Sequence, residues 1–230
     1  MTQETRANRY TVLATQAPVQ SLLEIKRSEF IGFVQRVESE QEARAFIESV
    51  RKRYHDARHV CSAFVIGADR DVQRSSDDGE PAGTAGIPML QALLARRTEG
   101  RDGAETTDLS DIVAVVVRYF GGIKLGAGGL VRAYTEAVVQ VLDAAPLIPR
   151  ERLRLGTLEV GHHEAGRLEN DLRSLGYAVL STDYLADGAR LTLGVFDQDA
   201  NRTTTEEQLA SLTAGSTTIH WRGSSWVDLS

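Results

Sequence analysis

The sequence predicts an α+β protein of two domains, and three observations carry that prediction. Two short apolar runs, Val60–Ile66 and Ile112–Tyr119, read as central strands rather than helices. Residues 152–230 alternate strand and helix patterns in the order β-α-β-β-α-β. Between the halves, Pro146-Leu-Ile-Pro149 reads as a linker. The expected domains are residues 1–145 and 152–230.

In the first domain, Tyr10–Ala14, Val19–Ile25 and Glu29–Val37 alternate as strands, expected to form an antiparallel meander. Ser39 followed by Glu42 caps a helix with Ala43, Phe46, Ile47 and Val50 on one face. Thr84–Arg96 has helical spacing, with Pro88 in the first turn, where a missing N–H does no harm. Thr98 to Leu109 is polar and predicts a mobile loop. Leu130–Leu142 is the last helix of this half.

In the second domain, Arg152–Val160 alternates as a strand. Glu164–Leu175 carries Leu168, Leu172 and Leu175 at helical spacing, and Gly176 stops it. Ala178–Leu185 and Ala189–Phe196 are strands joined at the hairpin signal Asp187-Gly188. Thr204 with Glu207 suggests a capping box opening a helix to Ala214, and Thr217–Val227 closes as a strand. The order is that of a ferredoxin-like domain, with two helices on one face of an antiparallel sheet.

Composition limits the function classes. With 230 residues, 42% of them hydrophobic, the chain can bury a sizeable core, yet no apolar run is long enough to span a bilayer. The first ten residues have no apolar run behind their charges, so no secretory signal is expected. The single cysteine, Cys61, permits no intramolecular disulfide and reads as a buried thiol. A cytoplasmic protein is the expectation. The net charge is −6, concentrated in the second half, so any phosphate contact must come from a local patch.

Two segments carry candidate chemistry. Val116–Tyr134 runs from a strand through a glycine-rich loop into a helix. Gly121, Gly122, Gly126, Gly128 and Gly129 allow close backbone approach, and the helix N-terminus adds unpaired N–H groups. With Arg118, Lys124 and Arg132 the segment suits an anion, although glycine loops also make plain turns. The second segment is Ser76–Gly86, with Asp77, Asp78 and Glu80 ahead of Thr84. Its carboxylates suit a Mg²⁺ with its waters, an acid/base pair, or a solvated turn.

Other candidates are weaker. His55 and His59 have metal-ligand spacing, but His59 abuts a strand and no third ligand is near, so Arg58 and His59 are assigned to the anion patch. His162-His163 reads as a cap neighbourhood, and Trp221 and Trp226 as packing or surface residues of the last strand. The chain has no P-loop order, no complete dinucleotide fingerprint and no G-x-S-x-G elbow. No metal or cofactor is called for.

Four motifs then identify a resemblance covering nearly the whole chain. Lys26–Gly32 (K-R-S-E-F-I-G), Asp56–His59 (D-A-R-H), Ser76–Gly86 and Arg118–Tyr134 resemble the YigZ/IMPACT family. The resemblance implies a ribosomal-protein-S5-domain-2-like first domain and a ferredoxin-like second domain similar to one in elongation factor G. It implies a translation-linked role, since eukaryotic relatives oppose activation of a kinase that inhibits initiation. Those relatives carry a different second domain. No catalytic residues come with the resemblance.

The preferred expectation is a non-enzymatic protein of the translation apparatus that contacts RNA or the ribosome, or a translation-regulatory protein, but no membrane. The alternative is a metal-assisted enzyme, or a binder of a phosphorylated small molecule, using residues 76–80 with the glycine loop. A third reading is structural: acidic residues 76–80 pair with Arg118, Lys124 or Arg132 to order the loops. The open edges expected of both sheets leave a dimer possible.

Overall fold

The computed structural model describes residues 5–229. It divides into two compact units, one ending at Pro149 and the other comprising Arg150–Leu229. Both mix helices with antiparallel sheet.

The first unit contains β1 (Arg9–Leu13), β2 (Val19–Ile25), β3 (Ser28–Arg36), α1 (Glu40–Arg53), β4 (His59–Ile66) and β5 (Val72–Ser76). After these come α2 (Gly86–Leu94), β6 (Thr98–Glu99), β7 (Glu105–Thr106), β8 (Ile112–Tyr119) and α3 (Ala127–Asp143). Its main sheet has the order β2-β3-β8-β4-β5, antiparallel throughout.

Period-two alternation sorts β8 between two cores. Val113, Val115 and Val117 pack with Phe46 and Val50 of α1, while Ala114 and Val116 pack with Met89 of α2 and Val138 of α3. Helices therefore cover both faces of an antiparallel sheet. That explains why the central strands read as continuous apolar runs rather than alternating ones. Arg118 continues the parity of Val116 and points to the α2/α3 side, where it is buried.

Several boundaries differ from expectation. β1 does not join the meander: Thr11 exchanges hydrogen bonds with Asp108 and Ser110, and the Ala14 N–H donates to the Pro146 carbonyl. Alternation announces a strand but not its partner. The segment expected as a polar loop holds the short hairpin β6–β7, too brief to show a period. α2 begins at Gly86, because the Thr84 hydroxyl donates to the Pro81 carbonyl instead of capping the helix. α3 starts three residues early and takes Gly128 and Gly129 into its first turn. The Ser39 cap is as read: its hydroxyl accepts from the Glu42 N–H.

The second unit holds most of β9 (Leu147–Val160), then α4 (His162–Ser174), β10 (Ala178–Tyr184), β11 (Ala189–Phe196), α5 (Asp199–Leu212) and β12 (His220–Asp228). The expected linker is therefore largely strand, since residues 147–149 open β9. Strands pair antiparallel in the order β12-β9-β11-β10. α4 and α5 cover one face through Leu168, Leu172 and Leu209 against Leu158, Leu191 and Leu193. Thr204 lies inside α5, which begins at Asp199, so it is no N-cap. Trp221 donates to Glu206 of α5 at 2.6 Å, with the Arg202 guanidinium over its ring.

Candidate functional site

Strand register brings the expected site segments to one end of the first unit's sheet. Arg118 lies opposite Phe30 on one side and His59 on the other, and Tyr119 lies opposite Glu29. The loop after β8, the β2–β3 turn and the Arg58-His59 pair therefore open at the same end. The acidic loop reaches it too, since His59 Nδ1 lies 3.0 Å from the Asp78 carbonyl oxygen.

The glycine loop is tied to the β2–β3 turn. The Gly121 N–H donates to Ser28 Oγ at 3.2 Å, and a Cβ on Gly121 would stand 1.9 Å from the Arg27 carbonyl oxygen. Only glycine fits there. Gly122 and Gly126 both have positive φ, and Gly126 precedes α3 with no side-chain cap on the helix. The first N–H groups of α3 are thus left to solvent or a ligand. A Cβ on Gly129 would stand 3.0 Å from the Leu125 Cβ, whereas one on Gly128 would meet nothing within 4 Å.

Each carboxylate of the acidic loop is engaged inside the protein. Asp77 accepts from the Gly83, Ala85 and Gly86 N–H groups, holding the start of α2. Burial pushes its carboxyl up, but those three N–H donors outweigh burial and hold it below the usual range. Asp78, at φ 41°, accepts from Arg51 at 3.0 Å and from the Val60 N–H at 2.8 Å. Glu80 accepts from Arg118 Nη1 at 2.6 Å and from the Tyr134 hydroxyl at 2.9 Å.

The Glu80–Arg118 pair is the buried centre of the site. Their side chains are 3% and 7% exposed. The Arg118 guanidinium carbon sits 5.4 Å from the Phe30 ring centroid and 5.7 Å from that of Phe120. Phe30 in turn meets Tyr134 edge-on at 5.3 Å. Cys61 Sγ lies 3.3 Å from the Tyr134 hydroxyl and 2.9 Å from the Asp77 carbonyl oxygen. Burial pushes the Cys61 thiol up to about 12 and raises Tyr134 as well.

The surface above this centre is basic. Lys26, Arg27, Arg58, Lys124 and Arg132 are exposed, and none forms an ion pair among the described residues. Lys26 and Arg27 form the two-residue turn between β2 and β3, with φ 49° and 64°. Asn-Gly is the usual choice for such a turn, so two long cations there are a local exception. Phe120 is 56% exposed and Ile123 is also exposed. On the flank, the Tyr119 hydroxyl donates to Asp56.

Of the residues singled out from sequence, Lys124, Arg132 and Arg58 lie on the surface, and Arg118 lies beneath it. His55 is exposed and His59 belongs to β4, so the two histidines do not share a helix face. No group of three His, Cys, Asp or Glu side chains among the described residues is placed to hold a metal ion. Sequence reading gave no site role to Lys26, Arg27, Phe120, Tyr134 or Arg51, although all but Arg51 lie in the motifs that carry the resemblance. For the first two a signal existed: the alternating runs Val19–Ile25 and Glu29–Val37 leave only residues 26–28 between them, which marks a hairpin tip.

Comparison with known proteins gives consistent matches. The Impact N-terminal domain matches residues 26–142. IMPACT family member YvyE of Bacillus subtilis (strain 168) is 42% identical over 160 residues, covering 70% of this chain and 69% of its own. IMPACT family member YigZ of Escherichia coli (strain K12) is 42% identical over 176 residues, covering 76% and 81%. A solved structure titled as that of a hypothetical protein aligns over 93% of this chain and 97% of its own, with a TM-score of 0.56 and 37% identity. No described helix is long and apolar enough to cross a membrane.

Proposed function

Because the chain belongs to the IMPACT family, with an Impact N-terminal domain at residues 26–142, we propose that it is a non-catalytic binding protein of the translation apparatus. It contacts RNA or ribosome phosphates through the basic end of its first sheet. The observation that carries this reading is the contact between Gly121 and Arg27. It joins the Lys26-Arg27 tip to the glycine loop that bears Lys124 and leads into the uncapped N-terminus of α3.

Three cations with no ion pair among the described residues, and the first N–H groups of an uncapped helix, suit phosphates on a backbone and position it without reading sequence. Arg58 and Arg132 flank the patch. Arg118 acts from behind, through Phe120. The carboxylates of residues 76–80 are engaged in holding α2, α1 and Arg118, which favours binding over the metal-assisted alternative. The layered first unit is read as S5-domain-2-like, and the β12-β9-β11-β10 unit as ferredoxin-like. Both readings fit a cytoplasmic partner of RNA.

The test is a titration of labelled ribosomal and transfer RNA across a salt series, comparing wild type with Lys26→Gln/Arg27→Gln/Lys124→Gln. Affinity should fall with salt, and the variant should flatten the log–log slope by about two, since each single-strand phosphate contact contributes about 0.7. A salt-insensitive affinity, or an unchanged slope in the variant, would overturn the proposal.

A further inference from the structure

We propose that Phe120 is a stacking platform for one unpaired nucleobase, so that the site takes single-stranded rather than duplex RNA; this rests on the RNA-binding reading above. Phe120 is 56% exposed, and the exposed Ile123 follows three residues later in the same loop, among exposed cations. Here the ring is not loose. The guanidinium of Arg118 faces it at 5.7 Å, and that guanidinium is fixed by the buried Glu80 carboxylate and by Phe30. Glu80 is fixed in turn by Tyr134. The protein therefore builds a chain of contacts from its core outward that ends on one aromatic ring.

A cation behind the ring draws its π density inward, which leaves the outward part better suited to an electron-rich base. Phe120 directly precedes Gly121, which touches the Lys26-Arg27 turn, and Lys124 follows within the same loop. Exposed cations and an aromatic platform on neighbouring loop residues are the combination that holds single strands: charges follow the backbone and the ring takes a base. A duplex keeps its bases stacked inside and offers this ring nothing. The charge complementarity favours a nucleic acid over a protein partner for the same patch.

The experiment compares a fluorescently labelled single-stranded RNA twelve-mer with the duplex of the same length, across a salt series. It uses wild type, Phe120→Leu and Phe120→Trp, plus the Lys26/Arg27/Lys124 triple variant. Wild type should bind the single strand about tenfold or more tightly than the duplex. Phe120→Leu should lose about tenfold for the single strand with an unchanged salt slope, and Phe120→Trp should retain binding. A 2-aminopurine in the strand should be quenched by wild type and not by Phe120→Leu. Equal binding of both RNA forms, or full affinity in Phe120→Leu, overturns the platform while charge-dependent binding survives. If wild type binds neither RNA, both proposals fall and a protein partner takes the patch.

Discussion

Glu80 and Arg118 form a buried ion pair at 2.6 Å, joining the loop after β5 to the end of the central strand β8. Removing either partner strands a charge in the core. Glu80→Ala and Arg118→Ala should each destabilise the fold by about 3–5 kcal/mol. The double variant should cost clearly less than the sum. Urea unfolding of the four proteins measures the coupling, and additive losses would mean the pair does not act as one.

The Lys26-Arg27 turn predicts a trade between stability and binding. Left-handed backbone costs a non-glycine residue about 1 kcal/mol or more. Lys26→Asn/Arg27→Gly should therefore stabilise the protein by about 1–2 kcal/mol while weakening RNA binding. Thermal unfolding and the RNA titration read the two effects separately. A variant that loses stability would show that the turn is held by contacts beyond its backbone.

Gly128 predicts the same trade at the helix start. Alanine suits a helix better by about 0.5–1 kcal/mol, and a Cβ there meets nothing in the protein. Gly128→Ala should raise the melting temperature and weaken RNA binding if the backbone is approached closely. Unchanged affinity would place the ligand away from this turn.

These glycine positions also show what was legible in the sequence. The strand–loop–helix frame of residues 116–134 was readable because the apolar run, the glycines and the helical spacing each have their own period or residue type. The surface exposure of Lys124 and Arg132 followed. The burial of Arg118 did not: it depends on register parity and on which helix covers that face, and neither is local. Asp77, Asp78 and Glu80 looked like a group, yet successive backbone turns send them to three different partners. Spacing of like residues fixes their proximity in the chain, not the direction of their side chains.

Asp77 makes the acidic loop a source of acid sensitivity. Its carboxyl is held below the ordinary value of 3.8 in the folded protein, so the folded state binds the proton less readily than the unfolded state. Its stabilisation is complete above 3.8 and is lost as pH falls through the lower folded value. Asp77→Asn should cost about 1 kcal/mol at neutral pH, as for a lost helix cap, and flatten the stability profile below pH 3.8. Chemical unfolding at stepped pH measures both. An unchanged slope would assign the acid sensitivity to other carboxylates.

Cys61 should be inert in the native protein. With its thiol pushed up to about 12, roughly one part in 10⁴ is thiolate at pH 8, and the side chain is fully buried. A disulfide-exchange reagent should label it only at the rate of unfolding. Fast labelling under native conditions would reveal local opening of β4.

The doubly covered β8 has a consequence for how the site can move. Its amides lie between two neighbouring strands and two cores, so they should exchange with solvent only when the whole unit opens. The residues from Gly122 to Lys124 have no such cover. The candidate interface is thus hinged at Phe120: one side is as slow as global unfolding, the other as fast as a surface loop. A partner of imperfect shape would be accommodated by the loop closing over it, and never by the platform shifting underneath.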